Sequence, residues 1–491
     1  MWFILLIVTI CLLWLNSRKP RNFPPGPAWL PIIGCGLELN RLRQKSGSMS
    51  KAVGALALKY GPVVGARVGV DRVVFVCGPK EYREFSSREE FNGRPNTIFY
   101  TCRTWGKPRG VLFTDGEFWE EQRAFIMKHL KEFGMGKKSM SDMIEGECQA
   151  MLNDIGRKID DGGGECVLRV DNMFGVYVLN TLWTMLSSRK HSPDDKQVKH
   201  LQHLITDLVS NVHMDGALFS HFPILRYICP QYSGYSNFVK IHQQILEFVR
   251  GEVEECKRSF DSLDHRSLID SYLDTLKSPD TKTSFSEDQL LAISLDLFMA
   301  GTETSAKALA FAFLYLTLNP DIQTRAQEEI DAVLGRHRLP TLEDRSRLKY
   351  VECVVLESIR MFADLGFSLP YRTLKDTHLN GYFIPKDTII IGSLRGVLMD
   401  ESSGWTNPEA FQPERFIKDG RVQIPENYIP FGLGKRRCLG ETLAKANVFL
   451  FVAGLLQQFN FSIVPGEPPT EETVDGMVPT PKPFVALVTR R

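Results

Sequence analysis

The stretch from Ser286 to about Leu318 constrains this chain more than any other segment. It opens with Ser286, Glu287, Asp288 and Gln289, runs apolar on most sides, and stops at Asn319-Pro320. Ser286 and Gln289 suit a capping box, the two acids suit the positive end of a helix, and the proline ends it. At roughly 1.5 Å per residue such a helix crosses nearly a whole domain. A helix apolar on most sides has to be buried, so the remainder of the chain must wrap it. In its middle lies Ala300-Gly-Thr-Glu-Thr-Ser305. Thr302, Glu303 and Thr304 cost stability at such depth unless they have partners or work to do. Gly301 is expected to let a ligand approach the backbone. A helix bend with a solvated acid is the structural alternative for this motif alone.

The second constraint is Phe431-Gly-Leu-Gly-Lys-Arg-Arg-Cys-Leu-Gly440, ahead of a helical stretch running to about Phe459. Cys438 then sits near the positive end of a helix and beside Lys435, Arg436 and Arg437, all of which favour ionised sulfur. Gly432, Gly434 and Gly440 remove side chains where a flat cofactor must approach backbone. A lone cysteine beside arginine is usually inert, but the ordered set F-G-x-G-x-R-x-C-x-G is specific. It resembles the haem loop of the cytochrome P-450 superfamily of monooxygenases. An axial thiolate pushes electron density onto haem iron and favours O–O cleavage.

The resemblance implies a mainly α fold with a smaller β-sheet region and haem buried between the long central helix and the cysteine-loop helix. It implies haem b as cofactor, with Cys438 as the iron ligand and Phe431 in the cofactor-binding loop. Thr304 and Glu303 resemble the oxygen-activating pair, with Thr304 hydrogen-bonding the activated oxygen and Glu303 relaying protons. Trp119 and Arg123 in WEEQR, Arg94 in FNGRP, and Arg436 resemble residues that reach the haem propionates; the planar fork of arginine matches a carboxylate. At Leu369-Pro-Tyr-Arg372 many relatives place His or Arg directly after the proline, whereas here Tyr371 stands there, so either Tyr371 or Arg372 contacts haem. Glu357 and Arg360 in LESIR, with Arg415 in Pro413-Glu-Arg-Phe416, resemble the buried charge network that shapes the cysteine loop.

Composition fits one large globular body. The chain has 491 residues, 43% hydrophobic and 24% charged. A net charge of +1 gives no global reason to expect nucleic acid. The ten cysteines are scattered without paired spacing, which argues against zinc, and they are expected to be free thiols in the cytosol. Residues 1–17 are expected to form an N-terminal membrane anchor, short of the roughly 20 residues a span prefers. Interfacial Trp2 and Trp14 accommodate the mismatch, and Arg18, Lys19 and Arg21 stay cytosolic. Residues 18–34 form a basic, proline-rich linker, and 35–491 the catalytic domain. This arrangement implies the endoplasmic reticulum membrane. Lys128, Lys131, Lys137, Lys138, Lys435 and Arg437 are either a solvated face or, by resemblance, the docking surface for an NADPH-dependent flavoprotein reductase, with a cytochrome b-type donor as a further electron source.

Segments such as TWGKPRGVLFTDGEFWEEQRAF and GALFSHFPILRY are similar to insect members, above all the farnesoate and methyl farnesoate epoxidases of juvenile-hormone synthesis. That implies epoxidation of the terminal double bond of a lipophilic sesquiterpenoid. Other lipophilic hormone precursors, xenobiotics, and a haem-thiolate isomerase or dehydratase needing no reductase are the alternatives. The residues of 216–230 lie either against a bilayer or in ordinary core. Arg103, Lys107 and Arg109, in a loop that relatives use to roof the pocket, are the candidate cations for a free-acid substrate.

Overall fold

The computed structural model describes residues 2–212, 216–364 and 366–491. The architecture is mainly α with small sheets. The central helix is Glu287–Leu318, 32 residues long, with Ser286 as its N-cap accepting from the Gln289 backbone N–H. Only half of the expected capping box forms. The Gln289 side chain instead donates to Gly110 O at 3.0 Å and accepts from Gly110 N at 2.8 Å, tying the helix start to the 102–115 segment. Helices Gly175–Ser187, Tyr235–Arg258, Lys349–Asp364 and Glu441–Gln458 pack against the central helix. Phe298 against Trp183 and Phe313 against Phe174 fill two of these contacts.

The β-branched runs form a four-stranded sheet in the order Val63–Val68, Asp71–Val76, Ile389–Gly392, Tyr371–Arg372. The first pair is an antiparallel hairpin, whereas Asp71–Val76 runs parallel to Ile389–Gly392, with Val73 opposite Ile389. Every residue of Val63–Val68 and Ile389–Gly392 is buried, Arg67 included, whose guanidinium is taken up by Asn16. A three-stranded sheet joins Phe459–Ser462, Val485–Arg490 and Glu165–Arg169.

The N-terminal apolar run is a helix over Trp2–Ser17; Met1, within the expected anchor, lies outside the described residues. Among the described residues no helix is long and apolar enough to cross a membrane. The proline-rich stretch packs on the first sheet instead of standing free. Phe23 and Trp29 are buried edge to face. Gly65 N donates to Pro25 O at 2.8 Å, and a Cβ at Gly26 would stand 2.0 Å from Gly65 O. Asn16 accepts from Ile32 N and from Arg67, so the end of the first helix is fastened to the sheet. The 216–230 segment is divided: Phe219, Ser220 and His221 are buried, Phe219 in the core, whereas Ile224, Tyr227 and Ile228 are exposed. Val70 N donates to His221 O and Gly69 N to Ile33 O. These bonds join that segment to Val70, Ile32 and Ile33 as one exposed apolar face.

Candidate functional site

The cysteine loop is closed by Cys438 N donating to Phe431 O at 3.0 Å. Gly432 and Gly434 have φ of +73° and +70°, and a Cβ at Gly434 would stand 2.0 Å from Ser86 O. These two glycines therefore serve the turn and its packing on helix Pro79–Ser87. The missing Cβ of Gly440 lies 3.9 Å from the Cys438 sulfur. Helix Glu441–Gln458 starts three residues after the cysteine.

Cys438 is exposed, yet its sulfur lies deep enough among protein atoms for desolvation to raise the thiol pKa. The backbone N–H groups of Gly440 and Glu441 and the charge of Arg437 pull it back down, but desolvation, helped by the charge of Glu441, outweighs them. The sequence led to the opposite expectation because it counted three free cations. Each of them is engaged: Lys435 with Glu120 at 2.5 Å, Arg437 with Glu441 at 2.6 Å, and Arg436 with Asn92 O at 2.7 Å.

Arg94, Arg436, Trp119, Arg123 and Tyr371 come together. The Arg436 guanidinium lies 3.7 Å from the Trp119 ring centroid and that of Arg123 lies 5.6 Å from it. Arg94 sits 4.7 Å from the Tyr371 ring and donates through Nη1 to Pro370 O and Leu369 O. Desolvation, reinforced by the charge of Arg94, lowers the Arg436 pKa to about 9. Arg372 is engaged elsewhere, donating to Asp115 at 2.9 Å, Asp387 at 2.7 Å and the Arg94 carbonyl. Of the two alternatives, Tyr371 thus belongs to this cluster and Arg372 to its acidic rim. Arg94 Nε and Arg436 Nη1 are buried and have no hydrogen-bond partner among the described residues. A buried donor left unmade costs roughly 1–3 kcal/mol, more when charged. A group carrying anionic oxygens would satisfy both, and the two propionates of haem are such a group. An accessible thiol beside a cationic cluster with unmet donors therefore fits haem.

On the central helix, Ala300 and Thr304 are exposed although the helix is otherwise buried along most of its length. Thr304 Oγ1 donates to Ala300 O at 2.8 Å. Glu303 lies on an adjacent face, buried, accepting from Thr206 at 3.1 Å with Lys307 Nζ at 4.0 Å. Burial raises its pKa against the pull of Lys307 and Thr206. Gly301 does not open the backbone to a ligand as expected. Its missing Cβ would stand 2.2 Å from Leu182 Cδ2, so the glycine lets helix Gly175–Ser187 pack close.

Behind the site, Glu357 and Arg360 are both fully buried. Arg360 Nε donates to Glu357 at 2.7 Å and its other nitrogens to Leu398 O and Pro408 O. Arg415 Nε meets Glu357 at 2.9 Å, as the resemblance implied. The expected substrate cations fare differently. Arg109 pairs with Asp288 at 2.7 Å and Lys107 is exposed. Arg103 is buried against Asp296. Sequence reasoning missed Asp296 and Asp115. An acid eight residues before Thr304, on one stripe of an apolar helix, was a signal available for the first.

The cytochrome P-450 family model matches residues 24–488. The chain is 40% identical to a probable cytochrome P-450 303a1 of Drosophila melanogaster, covering 98% of this chain and 97% of that protein. It is 36% identical to a farnesoate epoxidase of Bombyx mori over 98% and 97% of the two chains. With cytochrome P-450 2J3 of Rattus norvegicus it shares 33% identity over 96% and 91%. Family match, cysteine loop and cationic cluster agree: this chain belongs to the cytochrome P-450 family of haem monooxygenases.

Proposed function

We propose that this chain is a membrane-associated monooxygenase that takes electrons from NADPH through a flavoprotein reductase and epoxidises the terminal double bond of farnesoic acid or methyl farnesoate. The observation that carries the oxygenase half is the accessible Cys438 together with the unmet donors of Arg94 and Arg436 and the accessible Thr304. Identity to a farnesoate epoxidase supports the substrate half. Haem held by the Cys438 thiolate would supply reductive activation of molecular oxygen. Arg94, Arg436 and Tyr371 would hold its propionates, with Trp119 3.7 Å from the Arg436 guanidinium and Arg123 5.6 Å from the same ring. Thr304, exposed on the central helix, would hold a proton at Oγ1, which it donates to the Ala300 carbonyl at 2.8 Å. Glu303 is the proton reservoir behind it, reached through water or side-chain rotation, and its raised pKa suits that role.

Residues 1–17 act as the anchor in the endoplasmic reticulum membrane. The exposed apolar face built from Ile32, Ile33, Val70, Ile224, Tyr227 and Ile228 supports contact of the body with the same bilayer, where a lipophilic substrate partitions. Identity to the probable 303a1 protein favours a second reading, in which the same chemistry acts on another insect lipophile. Product analysis by chiral chromatography decides between them, after incubation with reductase, NADPH and each sesquiterpenoid. One predominant terminal epoxide is the expected result. Consumption of NADPH only when substrate is present separates the monooxygenase from an isomerase or dehydratase.

A further inference from the structure

Glu303 and Lys307 stand four residues apart on the central helix and share one stripe, adjacent to that of Thr304. Lys307 is 4% exposed, and its Nζ donates to Asp171 O at 3.3 Å. The Asp171 carboxylate itself accepts from Arg169 and from Phe484 N. Lys307 Nζ lies 4.0 Å from Glu303 Oε2, an ion pair without a hydrogen bond. Glu303 Oε1 accepts from Thr206 at 3.1 Å, whereas Oε2 is buried and has no hydrogen-bond partner among the described residues. Lys307 is the one charge among the described residues that acts on Glu303.

A buried ammonium is costly, and one long bond to a carbonyl does little to offset that cost. The neighbouring acid gives the cation a purpose. A buried carboxyl that releases its proton becomes a desolvated anion, and burial alone would keep it protonated. A cation 4.0 Å away makes that anion less costly, while the missing direct hydrogen bond leaves Oε2 open to a returning proton. We propose that Lys307 is a positioning residue of the reaction, whose charge keeps the buried Glu303 able to release its proton toward Thr304 and regain one from water. The inference rests on Glu303 being the proton reservoir of the proposed reaction, and it adds the group that lets the reservoir be emptied. Removing the charge favours the protonated acid, so Glu303 then ionises only at higher pH.

Infrared titration of the purified holoprotein tests it without turnover, by following the carboxyl C=O band that Glu303→Gln lacks. Lys307→Met and Lys307→Gln remove the charge, the second keeping a donor for Asp171 O, so it carries the test if the first does not accumulate. Lys307→Arg keeps the charge. In either neutral variant the midpoint of the band is expected to rise by about one pH unit or more, a ten-fold change in the ionisation constant, and in Lys307→Arg to stay near the natural value. With reductase, NADPH and the sesquiterpenoid that is turned over, the alkaline limb of the rate is expected to rise by the same amount. A purely structural lysine would lower the thermal midpoint of the neutral variants and leave both titrations where they are. That result, or a band midpoint that moves as far in Lys307→Arg as in Lys307→Gln, would overturn the proposal and leave Glu303 in its role. A band midpoint that rises while the alkaline limb stays would overturn the proposal together with the reading of Glu303 as the reservoir.

Discussion

Glu303 and Thr304 are adjacent in sequence yet occupy different surroundings: Thr304 is exposed on the inner stripe of the central helix, while Glu303 is buried against Thr206 and Lys307. A helix turns about 100° per residue, so neighbours cannot share one face. In the proposed reaction the pair would divide its work accordingly, the Thr304 hydroxyl at the substrate side and the Glu303 acid in reserve.

Thr304→Ala removes the exposed hydroxyl and no packing partner that the fold depends on. Haem content and ligand binding are expected to stay, while NADPH consumption separates from product and hydrogen peroxide rises. Full coupling in this variant would remove Thr304 from the reaction.

Burial holds the Glu303 pKa above its ordinary value, so the folded protein binds a proton there that the unfolded chain has already lost. Stability from this group is therefore present at low pH and declines as pH rises from the ordinary glutamate value through the raised one. Glu303→Gln keeps the acceptor for Thr206 and removes the titration. The decline in thermal midpoint across that window is expected to flatten, and the pH dependence of turnover to weaken. An unchanged slope would contradict the assignment.

Gly301→Ala adds a methyl group where Leu182 already stands, and overpacking of this kind costs about 1–3 kcal/mol. In a Leu182→Ala background the same change is expected to be neutral or stabilising, since alanine is the better helix former. Thermal unfolding of the two single variants and the double variant reads the coupling directly.

The extent of the central helix was legible because its cap, acidic first turn and terminal proline are local signals. The β-branched runs at 63–68 and 388–391 likewise favour strand without reference to a partner, and strands form at Val63–Val68 and Ile389–Gly392. The parallel pairing of Asp71–Val76 with Ile389–Gly392 was not legible, because it joins segments over three hundred residues apart. The motif residues around Trp119 and Arg94 come together in space, Arg436 against Trp119 and Arg94 against Tyr371. What the sequence hid was the choice of partner. Gln289 turns to Gly110, Arg103 to Asp296 and Arg437 to Glu441. Each is a tertiary or local competition that a list of charges does not resolve. For the same reason Gly301 read as a ligand-facing gap when it is a helix-packing one.

Arg360 is fully buried with Glu357, and removing one member of such a pair leaves an uncompensated charge at a cost of about 3–5 kcal/mol. Arg360→Ala is expected to reduce the yield of haem-loaded protein sharply, and its thermal midpoint with it. Normal yield and an unchanged midpoint would show that the network is dispensable.

Arg94→Met and Arg436→Met each remove an unmet buried donor, whereas Arg372→Met removes a group already paired with Asp115 and Asp387. A charged hydrogen bond contributes roughly 1.5–3 kcal/mol, so haem loss to an acceptor protein is expected to speed up about ten-fold or more for the first two. The third is expected to show a smaller effect. Equal rates for all three would dissolve the distinction drawn between Tyr371 and Arg372.

The most direct test is the reduced carbon monoxide difference spectrum of the purified protein beside Cys438→Ala and Cys438→His. A thiolate-type band in the natural protein, absent from both variants, is the expected result. A natural protein without that band, or a Cys438→Ala variant that keeps it, would contradict the assignment of Cys438 as the haem ligand.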